Sequence, residues 1–493
     1  MGKKAPPLLP DQRRRRRNRI AWTVLILLVM GPLTVFAIWR LGVERDIARL
    51  EQRARDAGEP ITLAELSAAL EPVPNEENVA VALWQIWEDE DPEHWKTLRS
   101  GRAPFLERKR FQLPPEILES RASGRDGPAE LPWSDAQAKA VETWAQSHAT
   151  RMEMVAAALQ LPQCRFRVQI DLDYNAFLPH LAALRDEADA INLLALLALH
   201  KREHATATLH LEQLIRLSEL TAKDLTLLGK LLSSNLKQQA IHIAVHLLAT
   251  EEFPPESLPQ LDALMRRVHS DGEFRNAMIT ERALAGSAFS LSLGEIARLV
   301  SDPGRYRAGG FLNQLRLDEF PLGWTGYFAV DKRLLLQTFE EALAAAEDGT
   351  AESALLAGQI LNARADQAKA SFQLLTAILV PGSSKAAEKL ARVEARRRCV
   401  LAAIAIESLA RNLGSRSLDH GAVEAILAET KDPFGDQPLK LFISANAYVI
   451  YAAGPDRQDD GGILELGAGQ ESGVDVGIKV AHPLPFPDEP SNR

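Results

Sequence analysis

The sequence predicts a mainly α-helical chain with a single N-terminal transmembrane helix, an irregular α-helical bundle or solenoid as its body, and a small C-terminal antiparallel β-hairpin module. Three observations lead there. A run of twenty residues without a charge, Ile20–Trp39, follows a cluster of arginines. From Glu44 onward apolar residues recur mainly at three- and four-residue spacing, the period of a helix with one buried face. After Asp432 two apolar runs rich in β-branched and aromatic residues flank a short polar break, the pattern of a hairpin. The 493 residues, 46% hydrophobic and 25% charged, suit a folded protein with a large core and exclude a disordered or collagen-like chain. Two cysteines exclude a disulfide scaffold and a Cys-rich zinc module.

Charge sets the membrane topology. Residues 1–19 form a basic head, with Lys3, Lys4, Arg13 to Arg17 and Arg19 against Asp11, a net of +7. The whole chain carries −9, so the remainder carries −16. A basic head on an acidic body argues for a membrane address and against nucleic-acid binding. The apolar segment 20–39 would be roughly 30 Å long as a helix, enough to cross a bilayer. Trp22 and Trp39 stand near its ends, where amphipathic rings favour the headgroup boundary. Val35-Phe36-Ala37 would serve as a signal-peptidase site, but its surroundings are too apolar, and the segment reads as an uncleaved anchor. Positive residues stay cytoplasmic, so the expected protein sits in the inner (cytoplasmic) membrane with its bulk extracytoplasmic, in the periplasm.

Along the body, Glu44 to Ala57 continues the anchor as a charged helix, closed by Gly58 and Pro60. Thr62 and Glu65 have the spacing of a capping box, as do Ser134 and Gln137 at the start of a helix running to about Gln160. Asn75 is the expected cap of a helix through Trp84 and Trp87, and residues 89–132 are expected to be loop. Cys164 to Leu172 reads as a short extended piece. Leu/Ala-rich helices are expected at about 178–200, 204–221, 224–250, 257–270, 331–347, 352–379 and 384–412, stacking as antiparallel pairs. Between them, the aromatic, glycine-rich stretch 301–328 is expected to be a strap packed on the helices, with a partner-binding loop as its functional alternative. The expected units are an α-helical domain over 44–380, a long helix with the hairpin module over 384–480, including a third short strand at Val474 to Val480, and a flexible tail, 481–493.

The C-terminal order is a long helix, Asp432-Pro433-Phe434-Gly435, Pro438, a strand at Leu439 to Phe442, a strand at Tyr448 to Tyr451, Gly454-Pro455-Asp456, and then Asp459 to Gly462. In this order it resembles the C-terminal module of the major pseudopilin of type II secretion systems. It departs in lacking the Tyr and the Gly-x-Tyr-Pro turn usual between helix and sheet, where Asn412-Leu-Gly414 and Leu418-Asp-His-Gly421 stand. The whole chain is also similar to a broad group of uncharacterised bacterial single-pass envelope proteins. The similarity lies in Gly58-Glu-Pro-Ile-Thr-Leu-Ala-Glu-Leu66, Asn75-Glu-Glu-Asn78, Glu281-Arg282 and the Asp-Pro-Phe to Asp-Asp-Gly-Gly stretch. The resemblance implies an envelope protein without implying any chemistry. It also implies a weak calcium candidate, because the matching pseudopilin loop can hold that ion: Asp456, Asp459 and Asp460, with Glu471 or Asp475 adding oxygens. Otherwise these acids are an exposed turn.

One motif suggests catalysis. His200-Lys-Arg-Glu-His204 fits the H-x-x-E-H pattern of inverted zinc peptidases, with Glu203 as general base and Glu281 as a third ligand. Its place at the end of an apolar helix favours a polar helix–helix turn instead. His242 and His246, also four apart, read as hydrogen-bonded histidines beside the core. Cys164 and Cys399 read as separate buried thiols, and Arg396-Arg397-Arg398 as the solvated face of a long helix. The expected function is therefore a membrane-anchored extracytoplasmic scaffold or interaction protein with protein partners in the envelope. No catalysis and no cofactor are expected. A zinc-dependent hydrolase built on His200, Glu203, His204 and Glu281 is the alternative.

Overall fold

The computed structural model describes residues 10–90, 131–166, 178–250, 252–291, 326–413, 418–464 and 475–484, with Pro114 and Ile117. Mainly helical, it carries one long apolar N-terminal helix and a small three-stranded antiparallel sheet near the C-terminus. Most of the 301–328 strap, the 89–132 loop, residues 167–172 of the extended piece, Glu471 and the tail after Leu484 lie outside the described residues.

The first helix, α1 (Pro10–Asp56), runs unbroken from the basic head through the apolar segment, and Pro32 is accommodated inside it. Its C-terminal part changes partner. Val43, Ile47 and Leu50, at helical spacing, are buried against Ala329 and Leu336. Ion pairs flank this seam: Lys332 with Glu51 at 2.8 Å, Arg333 with Asp46 at 3.2 Å and Arg53 with Glu340 at 2.6 Å. Gly58 then ends the helix at φ +74°, a left-handed turn that suits glycine, and Glu59 N–H reaches back to Ala54 O at 2.9 Å.

Both expected capping boxes are present, Thr62/Glu65 opening α2 (Leu63–Ala68) and Ser134/Gln137 opening α4 (Asp135–Ser147). The helix through Trp84 and Trp87, α3 (Val79–Glu90), is capped differently from expectation. Asn75 starts a 3-10 turn, and Asn78 does the capping, its Oδ1 accepting from Ala80 N at 3.1 Å and Arg165 N at 2.9 Å. The helix expected to reach Gln160 breaks at His148, whose Nδ1 lies 2.8 Å from Trp144 O, and resumes as α5 (Ala149–Ala158).

Helices α6 (Pro179–His200), α7 (His204–Thr221), α8 (Leu227–Leu248) and α9 (Leu258–Arg267) pack on one another as expected. Then comes α10 (Glu273–Ser287), which the sequence reading did not anticipate, followed by α11 (Tyr327–Ala345) and α12 (Ala351–Ala370). The run expected as one helix over 352–379 is broken at Ser371–Gln373, with Phe372 at φ 56°, before the short α13 (Leu374–Leu379). The long α14 (Pro381–Leu413) follows. A further unanticipated helix, α15 (His420–Ala428), is capped by Asp419 Oδ2 accepting from Ala422 N at 3.1 Å.

The sheet has order β1 (Lys440–Ser444), β2 (Ala447–Ala452), β3 (Val476–Val480). Ile450 on the central strand pairs with Leu441 on one side and Ile478 on the other. Gly477 is required where it stands, because an added Cβ would sit 2.2 Å from Ile450 O. One apolar cluster runs from α3 through α6–α9 along α14 and into β2 and β3, taking in Trp87, Leu196, Leu236, Ile406, Tyr448 and Val480. A second fills the space between α10, α11, α12 and the start of α14. The core is thus continuous across residues 380–384, and burying a side chain such as Ile450 contributes about 2 kcal/mol to joining module and body.

Candidate functional site

The acidic C-terminal loop is built from turn chemistry. Asp456 Oδ1 accepts from Gln458 N at 3.1 Å. Asp459 Oδ2 holds Lys440 Nζ at 2.6 Å, while its Oδ1 accepts from Tyr451 O–H at 3.1 Å and from Gly461 N at 3.0 Å. Lys440 and the Gly461 N–H together hold the Asp459 carboxyl below its usual range. Asp475, fully buried, accepts from Asp460 N at 3.3 Å and Gly462 N at 2.7 Å, and burial pushes its carboxyl up. Of the calcium candidates, Asp459 and Asp456 are thus committed to a lysine, a phenol and backbone N–H groups, and Asp460 is tied to Asp475 through its backbone. Among the described residues no group of three or more His, Cys, Asp or Glu side chains is arranged to hold a metal ion.

Two further carboxylates, Asp432 and Glu407, tie the C-terminal module together. Asp432 takes Phe434 N on Oδ1 and Ala453 N on Oδ2, both at 2.7 Å, and so fastens the Asp-Pro-Phe-Gly turn to the end of β2. Glu407 on α14 accepts from Tyr448 O–H at 2.8 Å and lies 3.0 Å from His482 Nε2, with Arg411 Nε at 3.4 Å. Burial works against the Glu407 charge, but His482, Tyr448 and Arg411 hold its carboxyl low, and Glu407 in turn raises the His482 imidazole. His482 and the buried Leu484, at the start of the tail expected from residue 481, are therefore packed, and the rest of that tail lies outside the described residues. The acid-glycine motif drew attention to the loop. Nothing local marks Glu407, which lies 75 positions before its histidine.

The H-x-x-E-H motif occupies the turn between α6 and α7. His200 is the last residue of α6, Arg202 turns the chain at φ 61°, Glu203 precedes α7 and His204 begins it. The His200 ring stacks against Trp133 at 6.2 Å between centroids, and the His204 ring meets Phe253 edge-on at 6.0 Å. The helix break removes the shared helical face that a two-histidine zinc site would use. Glu281, half-buried and with its carboxyl raised by desolvation, accepts from Leu227 N at 3.3 Å, at the first turn of α8. His242 and His246 meet Nε2 to Nε2 at 3.2 Å with perpendicular rings, and burial beside His242 drives His246 down to about 3.

Other motif pieces are structural joints. Glu59, from the Gly58–Leu66 stretch, binds Arg282 Nη1 at 2.9 Å and Arg275 Nη2 at 2.5 Å, so the turn after α1 is tied to α10. Arg396–Arg398 corrects the expected solvated face. Arg397 and Arg398 both bind the buried Glu394, at 2.7 and 2.8 Å, Arg398 also binds Glu352 of α12 at 2.7 Å, and Arg396 reaches Gln238 of α8 at 2.7 Å. Cys164 and Cys399 are both free thiols, and burial pushes the Cys164 thiol up to about 12.

No family model, curated protein or solved structure matches the chain. What bears on function is therefore the geometry itself. Helix α1 is long and apolar enough to cross a membrane, its mean hydropathy reaching 2.3 over a window none of which is buried. A cavity of about 710 Å³ opens where this helix meets the body, between Phe36 and Trp39 on one side and Tyr327 and Gln373 on the other. In the C-terminal sheet, β1 is an outer strand whose Phe442 and Ile443 are exposed, as is Ile463 in the loop after β2.

Proposed function

We propose that this chain is a single-pass, membrane-anchored scaffold or interaction protein of the bacterial envelope, with its N-terminus cytoplasmic and its body in the periplasm. The observation that carries the reading is the continuity of α1. One helix bears the arginines of the basic head, an apolar stretch with no buried face, and a terminal third packed and ion-paired onto α11. A body held that way is mounted rigidly on its anchor, which suits a protein that presents a surface at a fixed distance from the bilayer. The C-terminal module is the partner-facing part in this proposal. An outer strand with exposed apolar side chains can accept another strand or an apolar face, and its resemblance to the pseudopilin module points to a secretion or pilus-like assembly as the partner.

Two measurements on the full chain test this. Fusion of alkaline phosphatase after Arg493 should be active and a fluorescent-protein fusion there dark; the opposite pattern would refute the topology. A photocrosslinking residue at Phe442 should give a discrete adduct in growing cells that Glu153, exposed on α5, does not. No adduct at 442, or equal adducts at both, would refute the partner role of the module. Deleting residues 432–493 is a poor substitute, because Tyr448 and Val480 belong to the main core.

A further inference from the structure

The break between α12 and α13 places an apolar tip beside the membrane helix. Phe372 there is 82% exposed, an unusual position for a large aromatic, and it holds a left-handed φ of 56° that bulky side chains disfavour. Leu374, Ile378 and Tyr327 around it are exposed as well. The depth of this tip along α1 follows from the cavity. Its α1 wall runs from Trp39 back to Pro32, and its opposite wall is made by Tyr327, Ser371 and Gln373. Seven residues of helix correspond to roughly 10 Å, so the tip lies beside a stretch of α1 reaching that far into the apolar segment. The packing is close: an added Cβ on Gly326 would meet the Trp39 ring at 2.8 Å. If Pro32 and Phe36 are in hydrocarbon, Tyr327 and Ser371–Gln373 are at the same level.

The N–H groups of Ser371, Phe372 and Gln373 are satisfied within the protein, as lipid demands of backbone at that depth. Ser371 N donates to Gln367 O at 3.0 Å, Phe372 N to Lys369 O at 3.2 Å and Gln373 N to Ala368 O at 2.8 Å. The Phe372 carbonyl accepts from the Tyr327 hydroxyl. Two N–H groups in the first turn of α13, on Leu375 and Thr376, are taken by the fully buried Asp331 carboxylate at 2.9 and 3.2 Å. One turn before the tip, the exposed Lys369 and Asp366 pair at 3.0 Å.

We propose that this end of the body is immersed in the leaflet nearest to it, with Phe372, Leu374 and Ile378 against phospholipid acyl chains and one acyl chain lying in the groove between Ser371–Gln373 and α1. The inference rests on the reading that α1 crosses the membrane, and it makes the protein an anchored body with a second, monotopic contact. That contact fixes the tilt of the body over the bilayer, since a helix and a separate tip define a plane that a single helix does not.

The test uses the full chain in phosphatidylcholine–phosphatidylglycerol vesicles, with Cys164→Ser and Cys399→Ala as background and one nitroxide-labelled cysteine at a time. The background chain is checked for an unchanged melting curve. Accessibility to oxygen, which concentrates in lipid, is compared with accessibility to a water-soluble nickel chelate. Labels at Phe372→Cys and Ser371→Cys should show an oxygen-to-nickel ratio several-fold above that at Ile463→Cys on the terminal module, and close to that at Val35→Cys in the span. A lipid signal at 35 with an aqueous one at 372 would overturn the immersion and leave the anchor standing. A lipid signal at 372 with an aqueous one at 371 would overturn the acyl-chain groove. Aqueous signals at both 35 and 372 would overturn the anchor and the immersion together.

Discussion

Replacing Glu59 by glutamine keeps the side-chain shape but removes a carboxylate shared by two guanidinium groups. Glu59 Oε2 lies 2.9 Å from Arg282 Nη1 and Oε1 lies 2.5 Å from Arg275 Nη2. The Arg282 side chain is 4% exposed and that of Arg275 30%, so the first bond acts at nearly full strength and the second is partly screened by water. A hydrogen bond to a charged group contributes about 1.5–3 kcal/mol, and removing one member of a buried pair costs about 3–5 kcal/mol. Arg282 keeps one contact in the variant, Nη2 to Pro60 O at 3.3 Å. The expected loss for Glu59→Gln is therefore about 2–4 kcal/mol. It would be read as a lower urea midpoint at unchanged slope, followed by helical circular dichroism on the full chain in mild detergent. In a double-mutant cycle with Arg282→Met the coupling should be about 2 kcal/mol. A Glu59→Gln chain within about 0.5 kcal/mol of wild type, or an additive cycle, would refute the argument that this joint ties α1 to α10.

Three further outcomes are expected. Gly477→Ala should destabilise the C-terminal sheet by about 3 kcal/mol, since the new methyl meets Ile450 O at 2.2 Å and backbone cannot yield cheaply; unchanged amide-exchange protection on β2 would contradict it. His482 is raised in the folded state by Glu407, so its contribution is fully present below about pH 6.5 and is lost as pH rises through the folded value. Glu407, held low, stays ionised throughout that window. The stability gap between wild type and His482→Gln should accordingly shrink as pH rises above about 6.5 and through the raised folded value, and a constant gap would show that the imidazole charge contributes nothing. Cys399, fully buried, should resist alkylation in the native chain and react on unfolding, with half-buried Cys164 reacting slowly because its thiol is pushed up to about 12. Fast native labelling of Cys399 would refute its burial.

The parts of the fold that were legible in the sequence are those whose cause lies within a turn or two of chain. The apolar length of α1, the two capping boxes, the helix–turn–helix around Lys201–Glu203 and the β1–β2 hairpin each follow from neighbours a few residues apart. The misses have equally local reasons. Asn75 and Asn78 are both competent caps, and only the hydrogen bonds to Arg165 select the second. No glycine or proline marks the break at Phe372, whose side chain gives no hint of a left-handed turn. Three consecutive arginines look like a solvated face because the partners that bury them between helices, Glu352 for Arg398 and Gln238 for Arg396, come from other helices, beside the local Glu394. The calcium candidates were visible as acids in a glycine-rich turn, and Asp432 and Asp475 were singled out with them, but the backbone N–H groups that these two hold, and the pairing of Lys440 with Asp459, were visible only once the strands were paired.

By itself the sequence determined the class of the molecule: an N-terminal helix apolar enough for a bilayer, a helical body and a small sheet. Hydrophobic period, cap chemistry and charge placement act through contacts that every copy of such a segment makes with itself. Tertiary structure alone decided which helix faces meet, and with that which charges are paired. The Glu59–Arg282 bond spans 223 positions and the Glu407–His482 contact joins a helix to the chain's end. Such pairs depend on burial of apolar surface summed over the whole body, which brings their elements together before the charges themselves can interact.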